Sequence, residues 1–111
     1  MYFSYSQNMS TTDMTARENE VLGTALAILK RELDPQRILL FGSRAEGRHA
    51  PGSDFDLAVD APKPGRAYQI HEAINDSVGL YTVDIVYLPS VEPDFRNLIL
   101  KTGKVIYERK A

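Results

Sequence analysis

From Thr15 to Leu33 apolar residues recur at three- and four-residue steps. Leu22, Ala25, Leu26, Leu29 and Leu33 share one side, so the stretch reads as an amphipathic helix. Thr11, Thr12 and Asp13 offer N-caps, and Asp34-Pro35 stops the helix because the residue before proline is pushed out of helical backbone. Arg37 to Phe41 (RILLF) is a short apolar run ending at Gly42, which fits a buried strand. Ser43 to Gly47 has room for one or two helical turns, and Arg48 to Ser53, with Pro51 and Gly52, is a loop. From Asp54 to Val59 the period changes to two: Asp54, Asp56 and Ala58 alternate with Phe55, Leu57 and Val59.

Ala61 to Gly65 (APKPG) is a turn, and Arg66 to Val78 is a second helix with Ile70, Ala73, Ile74 and Val78 on one side. Tyr81 to Leu88 is β-branched and aromatic and reads as a strand. Pro93 to Thr102 is a third helix, with proline in its first turn and Gly103 at its C-terminal cap; Val105 to Tyr107 adds a short strand. The order predicts an α/β (α+β) domain, a small mixed sheet flanked by helices, over residues 14–111. Residues 1–13 are polar and aromatic without a period and are expected to form a loose tail.

The 111 residues allow one modest core, and 43% hydrophobic with 25% charged residues is an ordinary globular balance. With no cysteine there is no disulfide framework, thiolate metal site or cysteine nucleophile. No apolar run approaches the roughly 20 residues of a membrane helix, and there is no secretory signal pattern. A cytoplasmic location is the expectation. The net charge of -2 hides an acidic middle: eight carboxylates between Pro51 and Asp94 face only Lys63 and Arg66. Such a surface is poor for nucleic-acid backbones unless cations sit on it, so no direct nucleic-acid binding is expected.

The chemistry concentrates in FGSRAEGRHAPGSDFDLAVD, Phe41 to Asp60. Strand alternation brings Asp54 and Asp56 out on one face, about 6 to 7 Å apart at the backbone. Two carboxylates so placed can converge on divalent cations, and an all-oxygen set favours Mg²⁺ or Mn²⁺ over zinc. Asp84 interrupts an otherwise apolar strand and is the third candidate, since a carboxylate there needs compensation. Gly42 and Ser43 join a strand to a helical turn, where main-chain N–H groups attract phosphate. Arg44 and Arg48 follow closely enough to neutralise outer phosphates.

Duller readings stand beside these. Ser43 with Glu46 has the spacing of a capping box, Asp54 after Ser53 can be loop-to-strand punctuation, and Asp84 can be an edge-strand charge facing water. Asp60 is a turn residue, His49 a solvated loop residue within reach of a phosphate, and His71 an exposed helical residue. Neither histidine has a partner at metal-ligand spacing. Gly42 and Gly47 have the spacing of a P-loop, but Arg48-His49 stands where Lys-Ser/Thr is required.

Gly42-Ser43, ten residues and then Asp54-Phe55-Asp56 resembles the signature of the DNA polymerase β-like nucleotidyltransferase superfamily. The longer string GSRAEGRHAPGSDFDLAV resembles its minimal nucleotidyltransferase branch. The resemblance implies the polymerase β-like fold and a nucleotide site at Gly42, Ser43, Arg44, Arg48 and Ser53. It also implies metal binding by Asp54, Asp56 and Asp84, all three catalytic, with Asp84 helping to deprotonate the attacking hydroxyl. Two Mg²⁺ ions, or Mn²⁺ in their place, and ATP are the implied cofactor and substrate.

Minimal members are often encoded beside a HEPN-domain RNase toxin and silence it by adding AMP to a tyrosine. The resemblance therefore implies an antitoxin, a HEPN partner encoded nearby and a hetero-oligomer. Two alternatives stay open: an inert antitoxin acting by contact, and transfer to a small molecule such as an aminoglycoside. Larger members carry extra domains for tRNA or primers, which the short chain argues against.

Overall fold

A computed structural model describes residues 14–50 and 52–110. The expected N-terminal tail over 1–13, with the caps proposed at Thr11, Thr12 and Asp13, lies outside the described residues. Helix α1 (Ala16–Leu33) is capped by Thr15, expected inside the helix. Thr15 Oγ1 accepts from Glu18 N at 3.1 Å while Thr15 N donates to Glu18 Oε1 at 3.0 Å, a reciprocal pair that satisfies two otherwise orphaned groups. At the other end Asp34 takes a left-handed backbone (φ 43°) and returns its N–H to Lys30 O.

Strands β1 (Arg37–Phe41), β2 (Phe55–Val59), β3 (Val83–Tyr87) and β4 (Lys104–Glu108) form one mixed sheet in the order β3-β2-β1-β4. β1 is antiparallel to β2 and β4, and β2 is parallel to β3. Helix α2 (Ala67–Ser77) carries the chain from β2 to β3, and α3 (Pro93–Thr102) carries it from β3 to β4. Each element falls within a residue or two of the sequence expectation. The main departure is Ala73, which is exposed, so that α2 packs through Ile70 and Ile74. Gly103 is the C-terminal cap of α3, as expected, with an ordinary φ of -77° and its N–H bonded to Ile99 O. Its lack of a side chain matters through crowding, since a Cβ there would stand 2.6 Å from Ile99 O.

The sheet's two faces differ. On one, Ile38, Leu40, Phe55, Leu57, Val59 and Val83 pack under α1 and α2 in the main core. On the other, Leu39 and Ala58 pack with Leu88 and with Ile99 of α3 in a smaller cluster. Phe41 joins that cluster's margin and meets Phe95 edge-on at 5.8 Å between centroids. The second face is thus covered where Ala58 lies, and Asp56 stands farther along the same side of β2.

Candidate functional site

The parallel register of β2 and β3 sets Asp56 directly beside Asp84, and the antiparallel register of β1 sets Phe41 on the other side of Asp56. One row, Phe41–Asp56–Asp84, therefore crosses three strands on the face opposite α1 and α2, with neighbouring backbones about 4.8 Å apart. Asp56 is partly buried, while Asp84 and Asp54, which precedes β2, are exposed. β3 is the sheet's edge, as the duller reading of Asp84 supposed, but its register brings Asp84 to a second carboxylate.

Gly42 opens a short 3-10 turn (Gly42–Arg44) with φ 76°, a backbone that glycine adopts without strain. A Cβ at Gly42 would stand 2.5 Å from Asp56 Oδ2, so the turn touches the carboxylate row only because no side chain intervenes. Ser43 follows, partly exposed. The Ser43–Glu46 capping box does not form: Glu46 Oε1 instead accepts from Arg48 Nε at 3.3 Å on the surface.

Arg44 is where the sequence expectation changes most. Its side chain is fully buried, on the far side of the turn from the carboxylates, and is not placed to neutralise phosphates. Nε and Nη2 donate to Ser53 O at 3.0 and 2.7 Å, Nη2 also donates to Glu18 Oε2 at 3.1 Å, and the guanidinium lies 4.0 Å over the Phe55 ring. Out of reach of bulk solvent, the cation is held by a carboxylate, a carbonyl and an aromatic face, while Nη1 has no partner among the described residues. Ser53 also closes its own loop: its N–H reaches Ala50 O at 3.1 Å and its Oγ accepts from Ala50 N at 3.0 Å. Arg48 stays exposed. Asp60 behaves as a turn residue and pairs with Arg37 at 3.0 Å. His49 is partly buried, with Nδ1 unpartnered among the described residues.

Glu18 is the site residue that the sequence reading passed over. It is 3% exposed, and its second oxygen accepts from both Arg44 and Gly52 N, the latter at 3.3 Å. The main-chain N–H of Thr15 holds its pKa below the ordinary 4.5 against the opposing effect of burial, with Arg44 and Gly52 adding to the lowering. Thr15-Ala-Arg-Glu18 was a visible capping-box pattern; its second link, 26 residues along the chain, was not. Asp56 is the reverse case. Burial first, then the charges of Asp84 and Asp54, push its carboxyl above the ordinary 3.8.

These acids fit a hard divalent cation. All donors are oxygens, and a cation would relieve both causes of the Asp56 shift. They do not form a closed cage, since among the described residues no three His, Cys, Asp or Glu side chains gather to hold an ion alone. An open set suits Mg²⁺, which binds through one or two carboxylates and takes further oxygens from water and substrate phosphates.

Among the described residues no helix is long and apolar enough to cross a membrane. The family model for "Polymerase beta, Nucleotidyltransferase" matches residues 24–111. The probable protein adenylyltransferase MntA of Haemophilus influenzae (strain ATCC 51907 / DSM 11121 / KW20 / Rd) is 29% identical over 96 residues, spanning 84% of each chain. A chain from a crystal structure of a toxin–antitoxin with AMP-PNP matches with a TM-score of 0.67 and 24% identity, over 79% of this chain and 73% of that one. A chain from the toxin–antitoxin MntA–HepT matches at 0.63 and 21% identity, over 82% and 73%. At those identities the structural likeness shows the fold, a polymerase β-like mixed sheet flanked by helices. Nucleotide substrates and divalent metal are general to the matched family. The match over 88 of 111 residues, together with the carboxylate row beside Gly42, makes this chain a member of the polymerase β nucleotidyltransferase family.

Proposed function

We propose that this chain is a cytoplasmic antitoxin that transfers AMP from Mg-ATP to a tyrosine hydroxyl of a HEPN-domain RNase toxin encoded beside it. The observation that carries the reading is the in-register pair Asp56–Asp84 with Gly42 closed onto Asp56. Further support comes from the relative named as a protein adenylyltransferase and from the fold shared with toxin–antitoxin chains.

In this reading the main chain at Gly42 and Ser43 holds the triphosphate, and Arg48, on the surface beside that turn, screens its outer charge. Arg44 and Ser53 act at one remove: the first anchors the turn to Phe55 and Glu18, the second fixes the loop that ends at Asp54. Asp54 and Asp56, with Asp84, would hold the divalent ions, which when bound supply positive charge to the phosphoryl oxygens. The acceptor oxygen attacks the α-phosphorus in line with the bond to the β-phosphate. That P–O bond breaks, pyrophosphate leaves with the electron pair, and the hydroxyl proton passes to Asp84. Positioning and charge neutralisation carry most of the rate, because the transition state needs little else.

Intact mass spectrometry of the adjacent gene product tests this, after incubation with the protein, Mg²⁺ and each nucleoside triphosphate in turn. A gain of one or more AMP units that disappears with Asp54→Asn/Asp56→Asn is the expected result, and fragmentation should place it on tyrosine. Tight co-purification with no mass gain would replace the enzyme with an antitoxin acting by contact alone.

A further inference from the structure

Among the described residues β3 is an edge strand, and its outer side is only partly finished. Phe55 N donates to Thr82 O at 2.9 Å, which sets the parity of the ladder. Main-chain groups of Thr82, Asp84 and Val86 face β2, and those of Val83, Ile85 and Tyr87 face outward. Asn75 of α2 satisfies the first outward residue: Val83 N donates to Asn75 Oδ1 at 2.9 Å, and Asn75 Nδ2 donates to Val83 O at 3.0 Å. That side-chain amide imitates one rung of a neighbouring strand. Beyond it, among the described residues, no hydrogen bond meets the outward N–H and C=O of Ile85 or the N–H of Tyr87.

A groove of about 580 Å³ lies against this same stretch, between it and α2, lined by Tyr68, His71, Ile85, Val86, Tyr87 and Ser90 among others. Its wall pairs apolar side chains with main-chain donors and an acceptor at two-residue spacing, a pattern that an extended peptide matches. The groove lies on the α2 side of β3, and the carboxylate row lies on the other face of the same strand, where Asp84 directly precedes the groove residue Ile85. A residue paired beyond Asp84 would extend Phe41–Asp56–Asp84 by one place, about 5 Å from Asp84 and on the same face. Its two neighbours in such a strand would point to the other face, toward α2.

We propose that the free edge of β3 is the docking rail for the acceptor polypeptide. An extended segment of the partner adds as a fifth strand, with its hydroxyl-bearing residue in the row of Asp56 and Asp84 and apolar residues flanking it. The inference rests on the protein-acceptor reading above and adds how the acceptor is presented.

Residue-resolved amide exchange on the full chain, alone and with the adjacent gene product, tests it. The Ile85 and Tyr87 amides should slow by about 10-fold or more on addition of that protein, while Asp84 and Val86, already bonded to β2, change little. Ile85→Pro removes one outward N–H and no ladder bond, so it should weaken partner binding about 10-fold while leaving binding of a non-hydrolysable ATP analogue intact. The exchange measurement needs no variant and decides the matter even if that one folds poorly. AMP gain without protection of these amides overturns the docking alone. Protection without AMP gain keeps the docking and overturns the transfer reading, and neither result together overturns both. Protection already present in the isolated chain and lost on deleting residues 1–13, or on dilution, gives the edge to this chain's own terminus or to a second copy and overturns the partner assignment.

Discussion

On the face of the sheet under α1, Glu18 is 3% exposed and accepts from Thr15, Arg44 and Gly52, and its pKa is lowered. On the opposite face Asp56 is also drawn from solvent, yet its carboxylate neighbours are Asp84 and Asp54, and its pKa is raised. The segment from Gly42 to Asp54 connects the two. It is pinned on the first face by Arg44 and meets the second through Gly42. One carboxylate has its charge satisfied within the fold, and the other has its charge left for something outside the chain. A buried carboxylate paired with a cation and main-chain donors belongs to a brace; concentrated, uncompensated like charge belongs to a site awaiting a cation.

The largest break in that contrast should come at Asp56. Asp56→Asn removes a cation ligand and leaves the strand's hydrogen bonds in place. Adenylyl transfer should fall on the order of 10³-fold, about 4 kcal/mol of barrier, with an unchanged circular dichroism spectrum. A variant that retained most of its activity would shift the chemistry to Asp54 and Asp84.

The brace should fail differently. Arg44→Met leaves Glu18 buried with two main-chain donors and no cation, a change that typically costs about 3–5 kcal/mol. Denaturant unfolding should show a loss of that order. Transfer per folded molecule should also drop, because the Gly42 turn loses its anchor. If stability held while transfer collapsed, Arg44 would belong with the substrate after all.

Much of this could be read from the chain because the signals are local. The period-two stretch from Asp54 to Val59 separated Asp56 and Ala58 from the apolar face of Phe55, Leu57 and Val59, and Gly42-Ser43 at the end of an apolar run marked the turn. The strand order β3-β2-β1-β4, and with it the Asp56–Asp84 pairing and the free edge, depends on contacts across tens of residues that no local pattern carries. Arg44 was misread for the same reason. Its neighbours in sequence, Gly42 and Ser43, suggest a phosphate-facing turn, whereas its partners in space are Glu18 and Phe55.

Gly42 lies where the brace and the acidic row meet, and Gly42→Ala should have an intermediate effect. The added methyl meets a positive φ and the Asp56 carboxylate at 2.5 Å. Strain at such a backbone costs about 1–2 kcal/mol, and displacing Asp56 should lower transfer about 10- to 100-fold. Pairing it with Asp56→Asn sharpens the point. If the methyl acts through Asp56, the two losses in transfer will not add.

The smallest effect, and the most direct reading of the contrast, is on stability against pH in the absence of divalent ions. Asp56 has a folded pKa above its ordinary 3.8, so the native state holds its proton more tightly than the unfolded chain does. Stability from this group is fully present below pH 3.8 and is lost as pH rises through the raised value. Glu18 has a folded pKa below its ordinary 4.5, so its contribution is present above pH 4.5 and is lost as pH falls through the lowered value. Near pH 7, Asp56→Asn should therefore melt above the wild type, and Glu18→Gln should melt below it. In acid both differences should shrink toward zero from opposite sides. Added Mg²⁺ with an ATP analogue should raise the wild-type melting temperature and reduce or reverse the Asp56→Asn advantage at neutral pH, because the charge that destabilises the empty site is the one that binds. An Asp56→Asn protein no more stable than wild type without metal would mean that burial and repulsion at Asp56 are already relieved within the chain, and the contrast with Glu18 would not stand.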